Sequence, residues 1–160
     1  RMPAPGAGPR LGPGRVRLAV EADAAAVTEL VNTAFAECDG FFLSRPDPRL
    51  DPVGGDAARV IRGTEEEFLV CQEESSGELL GAVRLELPGI SGAWPPLARF
   101  GMLAVPQRYA RRGAGSALLA AAEERARGRL GAGCEAEVFV LTLRGDLLAW
   151  YARRGYAPTG

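Results

Sequence analysis

Residues 100–116 read Phe-Gly-Met-Leu-Ala-Val-Pro-Gln-Arg-Tyr-Ala-Arg-Arg-Gly-Ala-Gly-Ser, and a long alanine-rich run follows. A short apolar strand feeds a basic, glycine-containing turn, and the turn opens a helix. Gly113 and Gly115 lack a Cβ, so backbone amides there can approach an anion closely. The first turn of a helix starting near Ala114 leaves unpaired amides, and its dipole favours negative charge. Arg111 and Arg112 add charge and forked donors. The pattern suits a phosphate-bearing ligand. A bare Gly-x-Gly is weak, and the same stretch also reads as an ordinary strand-to-helix turn with solvated arginines.

The chain has 160 residues, 47% of them hydrophobic, and a formal net charge of -1. That length supports one domain with a real core. The charge balance gives no bulk attraction to nucleic acid or to an anionic membrane. No apolar run approaches the roughly 20 residues of a membrane helix. Residues 1–14 are rich in Pro, Gly and Ala, without an apolar signal core, and read as a disordered leader. The expectation is a cytoplasmic protein with one domain over residues 15–160.

The sequence contains neither His nor Lys. This removes Ser-His-Asp and Cys-His catalysis, histidine metal ligation and lysine Schiff bases. Cys38, Cys71 and Cys134 are far apart and form no Cys-x-x-Cys pair, so no metal site and no disulfide framework is expected.

Val16, Leu18 and Val20 alternate with Arg17 and Ala19, which suits a strand over 15–20. Asp23 can cap the helix that follows. Val27, Leu30, Val31, Ala34 and Phe35 give that helix a core-facing stripe. A loop over 39–55 and a short helix over 56–62 come next. Strands over 68–72 and 79–87 form a hairpin across Glu-Glu-Ser-Ser-Gly. Residues 88–98, with Trp94-Pro95-Pro96, read as a loop. A strand over 99–105, a helix over 114–129, a strand over 135–143 and a helix over 146–153 complete the chain, with an extended segment from Tyr156. This order predicts an α/β protein: a mixed, mostly antiparallel sheet with helices on both faces.

That order, with Val105-Pro-Gln-Arg-Tyr-Ala-Arg-Arg-Gly-Ala-Gly in the middle and Trp150-Tyr-Ala-Arg-Arg-Gly-Tyr near the end, resembles the GNAT superfamily of acetyl-CoA-dependent N-acetyltransferases. The resemblance covers residues 15–160. It rests on the acyl-CoA pyrophosphate loop and on the terminal pattern Tyr151, Gly155, Tyr156. It implies acetyl-CoA as co-substrate and no metal. Backbone groups of Leu103 and Val105 would pair with the pantetheine arm. Amides of Arg111, Arg112, Gly113, Ala114, Gly115 and Ser116 would hold the pyrophosphate. Tyr151 would lie near the cofactor sulfur as the acid for the departing thiolate. The acceptor would be a primary amine of a small molecule or peptide.

Four departures from the family pattern stand out. Ala110 replaces the first Gln or Arg of the loop motif. Arg144 replaces an Asn that often opens the last helix, and reads equally as a cofactor contact or a surface charge. The strand over 99–105 carries no carboxylate, which leaves Glu86 and Glu137, each in an otherwise apolar strand, as candidate bases or as outward-facing charges. The family's last strand is missing from the expected elements. Val138, Val140 and Leu141 would then line an apolar edge, making a homodimer one expected outcome. Phe41 and Phe42 could shape an acceptor pocket or plug the core. A catalytically weak acyl-CoA sensor and an unrelated phosphate-binding module are the competing readings.

Overall fold

Strand β2 (Glu66–Glu73) shows why the sheet must be covered on both faces. Its residues Phe68, Leu69, Val70 and Cys71 are consecutive and all buried. Successive strand side chains point to opposite faces, so such a run needs a packing layer on each side. The structure, a computed structural model, describes residues 14–38, 48–51, 55–87 and 95–159. Within them β1 (Gly14–Leu18), β2, β3 (Leu79–Glu86), β4 (Leu97–Ala104) and β5 (Glu135–Val138) form one sheet in that order. The first three pairings are antiparallel and β4 with β5 is parallel.

Helix α3 (Ala114–Leu130) covers one face, where Leu118, Leu119, Ala122 and Ala126 pack on Leu69, Cys71, Val83 and Leu85. On the other face Val27, Leu30 and Val31 of α1 (Ala24–Ala36) and Val60 of α2 (Asp56–Arg62) pack on Phe68, Val70 and Ala82. Truncating a fully buried residue such as Leu118 to alanine would cost about 2–5 kcal/mol. Helix α4 (Gly145–Ala152) adds Tyr151 to the α3 layer. The mixed sheet and the two helical layers agree with the element order read from sequence.

Local differences have physical causes. Asp23 does not cap α1 with its side chain. Its carboxylate accepts from Arg17 at 2.7 and 3.0 Å and from the Val20 amide at 2.8 Å, closing the turn before the helix. The strand over 135–143 ends at Val138, because only Leu97–Phe100 of β4 pair with it. Tyr156 starts no strand; its ring packs into the α3-side core and its hydroxyl donates to Glu123 at 2.8 Å.

The early end of β5 traces to an irregularity in β4. Ala82 pairs with Ala104 and Arg84 with Gly101, so Val83 alone faces Met102 and Leu103. An extra residue of this kind bends a strand and increases its twist. Met102 takes a left-handed φ of 49°, rare for a side chain without special local bonding. Beyond Phe100 the two parallel strands separate, and the gap between them becomes a cleft.

Candidate functional site

The cleft has a volume of about 950 Å³. Its floor is residues 100–105 of β4 and the following turn, with 139–141 on the other side of the gap. Ala34 and Phe35 of α1 and Cys38 in the turn after it line the cleft from another side. Leu147, Trp150, Tyr151 and Arg153 form a wall from the last helix. Arg111 and residues 113–116 form one end.

That last end is built to leave amides available. Pro106 leads into a single 3-10 turn, Gln107–Tyr109. Arg111 then adopts φ 63° and Gly113 φ 84°, and α3 begins at Ala114 with no side-chain cap. Left-handed residues beside a helix start turn successive N–H groups into a concavity that suits an anion. The first-turn amides have no intrahelical partner, and the helix dipole adds partial positive charge. The turn is fixed from outside by three carboxylates. Glu37 accepts from the Gln107 amide at 2.7 Å, Glu78 from the buried Tyr109 hydroxyl, and Glu73 from Arg112.

The sequence-derived residues therefore separate. Leu103, Val105, Arg111, Gly113, Ala114, Gly115, Ser116 and Tyr151 all line one cleft. Arg112 does not line it; its guanidinium is turned to Glu73 on β2. Glu86 and Glu137 are also away from it. Each is an ion-pair partner, Glu86 of Arg84 and Glu137 of Arg99 at 2.9 Å, so neither is placed to serve as a base in the cleft. Phe41 and Phe42 lie outside the described residues.

Arg144 lines the cleft and is engaged on two sides. It holds Asp146 through Nε at 2.9 Å and Nη2 at 2.8 Å, and its Nη1 lies 3.6 Å from Cys38 Sγ. Asp146 is the only carboxylate among the described lining residues. Its hydrogen bonds from Arg144 hold its carboxyl down at about 2, so it stays ionised and is a poor proton acceptor. Against it stand Arg111, Arg144 and Arg153, which leaves the cleft electropositive.

Tyr151 sits edge-on between Trp150, with ring centres 4.8 Å apart, and Tyr156, at 5.5 Å. Burial pushes its hydroxyl up to about 12, with Arg154 opposing weakly. It is protonated at neutral pH and can donate. Arg154 lies over the Trp150 ring at 3.6 Å, donates to the Trp150 carbonyl at 3.0 Å, and reaches the Ser116 hydroxyl in α3. Arg153, Asp146 and Trp150 were missed as site residues by the sequence reading. The only signal for them was their neighbourhood to Tyr151.

Among the described residues no group of three or more His, Cys, Asp or Glu is arranged to hold a metal. Among them no helix is long and apolar enough to cross a membrane.

The sequence model of the acetyltransferase (GNAT) family matches residues 27–156. No curated protein matches the chain. Among solved structures, an aminoglycoside acetyltransferase from an uncultured soil metagenomic sample superposes with TM-score 0.69 and 17% identity, covering 92% of this chain and 91% of that one. A Bacillus halodurans protein gives TM-score 0.72 and 18% identity, with 91% and 94% covered. A Trypanosoma brucei acetyltransferase gives TM-score 0.63 and 18% identity, with 92% and 94% covered. At these identities the likeness is one of fold.

Proposed function

The chain belongs to the GNAT acetyltransferase family, and on that premise we propose that it transfers an acetyl group from acetyl-CoA to a primary amine of a small molecule or peptide by direct attack. The observation that carries this is the single cleft joining the amide-rich turn at residues 111–116 to Tyr151 across the parted strands β4 and β5. The donor set fits a pyrophosphate: several convergent amides, a positive-φ glycine and nearby arginines. Bound acetyl-CoA supplies the acyl group as a thioester. The turn amides and Arg111 hold its phosphates, and backbone groups of Leu103 and Val105 hold its pantetheine arm.

The amine nitrogen forms a bond to the carbonyl carbon as the carbon–sulfur bond breaks. A backbone amide of 103–105 polarises the carbonyl oxygen. Tyr151 gives its proton to the departing sulfur, and the proton that the nitrogen sheds on becoming an amide restores it through solvent. The amine must lose a proton first, and a lysine-like amine holds it until about pH 10.4 in water. No described side chain in the cleft is placed to take that proton, so bulk water or the acceptor's own deprotonated fraction supplies the reactive amine. The electropositive lining helps, because it disfavours the ammonium form.

The same lack of a cleft base favours a second reading, a catalytically weak domain that binds acyl-CoA as a sensor. One assay separates the two: the purified protein with acetyl-CoA and a broad panel of amines, read by thiol release. Amine-dependent thiol release supports the enzyme. Calorimetric binding of acetyl-CoA without release on any amine supports the sensor, and absence of binding sinks both.

A further inference from the structure

Ser116 in the first turn of α3 has an unusual partner for a helix serine. Helix hydroxyls commonly donate to the carbonyl four residues back. Thr28 of α1 does so, donating to the Ala24 carbonyl at 2.8 Å. Ser116 sits too near the helix start for this, since Arg112 four residues back precedes the N-cap Gly113, and it receives a bond from Arg154 Nη2. A guanidinium has only donors, so the serine oxygen must be the acceptor. The single hydroxyl proton of Ser116 is then left over, on a side chain that lines the cleft beside the uncapped amides of α3.

Arg154 itself is held in place. Its plane lies over Trp150 at 3.6 Å, and its second terminal nitrogen donates to the Trp150 carbonyl at 3.0 Å. Stacking and a carbonyl bond fix a side chain that would otherwise be long and mobile. Unlike Arg111, Arg144 and Arg153, it does not line the cleft.

We propose that Arg154 is a positioning residue: by occupying the Ser116 lone pair it directs the Ser116 hydroxyl to donate into the cleft, to a phosphate oxygen of the acyl donor. This rests on the reading that acetyl-CoA is bound with its pyrophosphate at residues 111–116. It adds a specificity. The Arg154–Ser116 relay serves only donors that carry the phosphates, and a phosphate-free thioester gains nothing from it. The guanidinium also places positive charge one residue behind the serine, where it polarises the hydroxyl without competing for the ligand.

The test compares CoA with pantetheine, and acetyl-CoA with S-acetylpantetheine; in each pair the first carries the nucleotide phosphates and the second lacks them. Arg154→Met should raise the Kd for CoA by about 10-fold, the scale of one hydrogen bond to a charged group. It should raise KM for acetyl-CoA similarly and leave kcat at saturation, and all constants for S-acetylpantetheine, within about 2-fold of wild type. Ser116→Ala, which leaves the Trp150 stack intact, should weaken CoA equally. The double variant should be no weaker than either single one. Arg154→Lys should recover part of the affinity. Unchanged CoA binding in Arg154→Met or Ser116→Ala, equal losses on the phosphate-free donor, or additive losses in the double variant would each overturn the relay. Wild-type protein that fails to bind CoA would overturn the acyl-CoA reading beneath it, a distinct result.

Discussion

Gly81 of β3 lies directly under Leu118 of α3: a Cβ on the glycine would stand 2.9 Å from Leu118 Cδ1, 3.0 Å from the Ala104 carbonyl oxygen and 3.0 Å from Val105 Cγ2. The side chains could shift, but the carbonyl belongs to β4 at the bend that opens the cleft. Gly81 thus lets the helix that presents the turn amides sit close to the sheet. Gly81→Ala is expected to destabilise the protein by about 1–3 kcal/mol, the usual cost of overpacking. It should also weaken CoA, since Val105 and α3 move together. Urea unfolding with unchanged slope and CoA calorimetry check both. A variant as stable as wild type would mean that the contact relaxes freely.

Gly113 is another position that favours glycine. It stands at φ 84° at the N-cap of α3. Asp tolerates that region at a cost of about 1–2 kcal/mol, so Gly113→Asp should still fold. Its carboxylate would stand where phosphates are held and would cap the amides they need. Calorimetry on the folded variant should show CoA affinity reduced at least 100-fold, an order-of-magnitude expectation from opposed charge in a shielded site. Unchanged affinity would move the phosphate site elsewhere.

Tyr151 makes a kinetic and a pH prediction. Tyr151→Phe keeps the ring between Trp150 and Tyr156 but removes the donor, and should lower kcat by about 10²–10⁴-fold with little change in CoA affinity. The hydroxyl is pushed up to about 12, so it stays protonated across the working range. Wild-type activity should rise from pH 7 to pH 10 as the acceptor amine loses its proton, and the ratio of wild type to variant should stay constant there. If that ratio collapses between pH 8 and 10, the tyrosine ionises in that range and the buried environment does not govern it.

Much of the site was legible because it is local in sequence. The strand, the turn and the helix start are consecutive, so Gly113, Ala114, Gly115 and Ser116 could be placed from residue types alone. What stayed open depended on partners. Glu86 and Glu137 read either as bases or as outward-facing charges because their own strands are apolar; Glu86 pairs with Arg84 two residues back on its own strand, while the pairing of Glu137 with Arg99 is a cross-strand fact. The same applies to Arg112, which only the hairpin's Glu73 turns away from the cleft. The bend in β4 carried no signal, since it falls at Met102 rather than at the neighbouring Gly101. Arg144, open between two readings in the sequence, lines the cleft as part of an ion pair.

The apolar stretch after β5 predicts self-association. Phe139 is 80% and Leu143 72% exposed, with Leu141 at 41%. Exposed apolar residues beside an edge strand recruit other chains, and a second copy is always at hand. Sedimentation should show a dimer or higher species whose population grows with concentration. Leu143→Glu, outside the cleft lining, should reduce it without lowering the melting temperature. A monomer at all accessible concentrations would refute this.

Acid stability should depend on Glu67. Its carboxylate on β2 accepts from Arg125 Nη2 at 2.8 Å and Arg129 Nη1 at 2.6 Å, tying α3 to the sheet. The Arg125 hydrogen bonds are the main reason its carboxyl is held below the ordinary value of about 4.3, outweighing the opposing effect of burial. A folded-state pKa below the unfolded one contributes stability that is fully present above the unfolded value. That contribution is lost as pH falls through the folded value. Glu67→Gln cannot titrate and leaves Arg125 and Arg129 with a neutral partner, so it should be less stable at pH 7 by about 1–3 kcal/mol. As pH drops below about 4, wild type loses its advantage and the two melting temperatures should converge. A gap that does not shrink at all as pH falls below the unfolded value of about 4.3 would assign the effect of the substitution to packing of the side chain rather than to its charge.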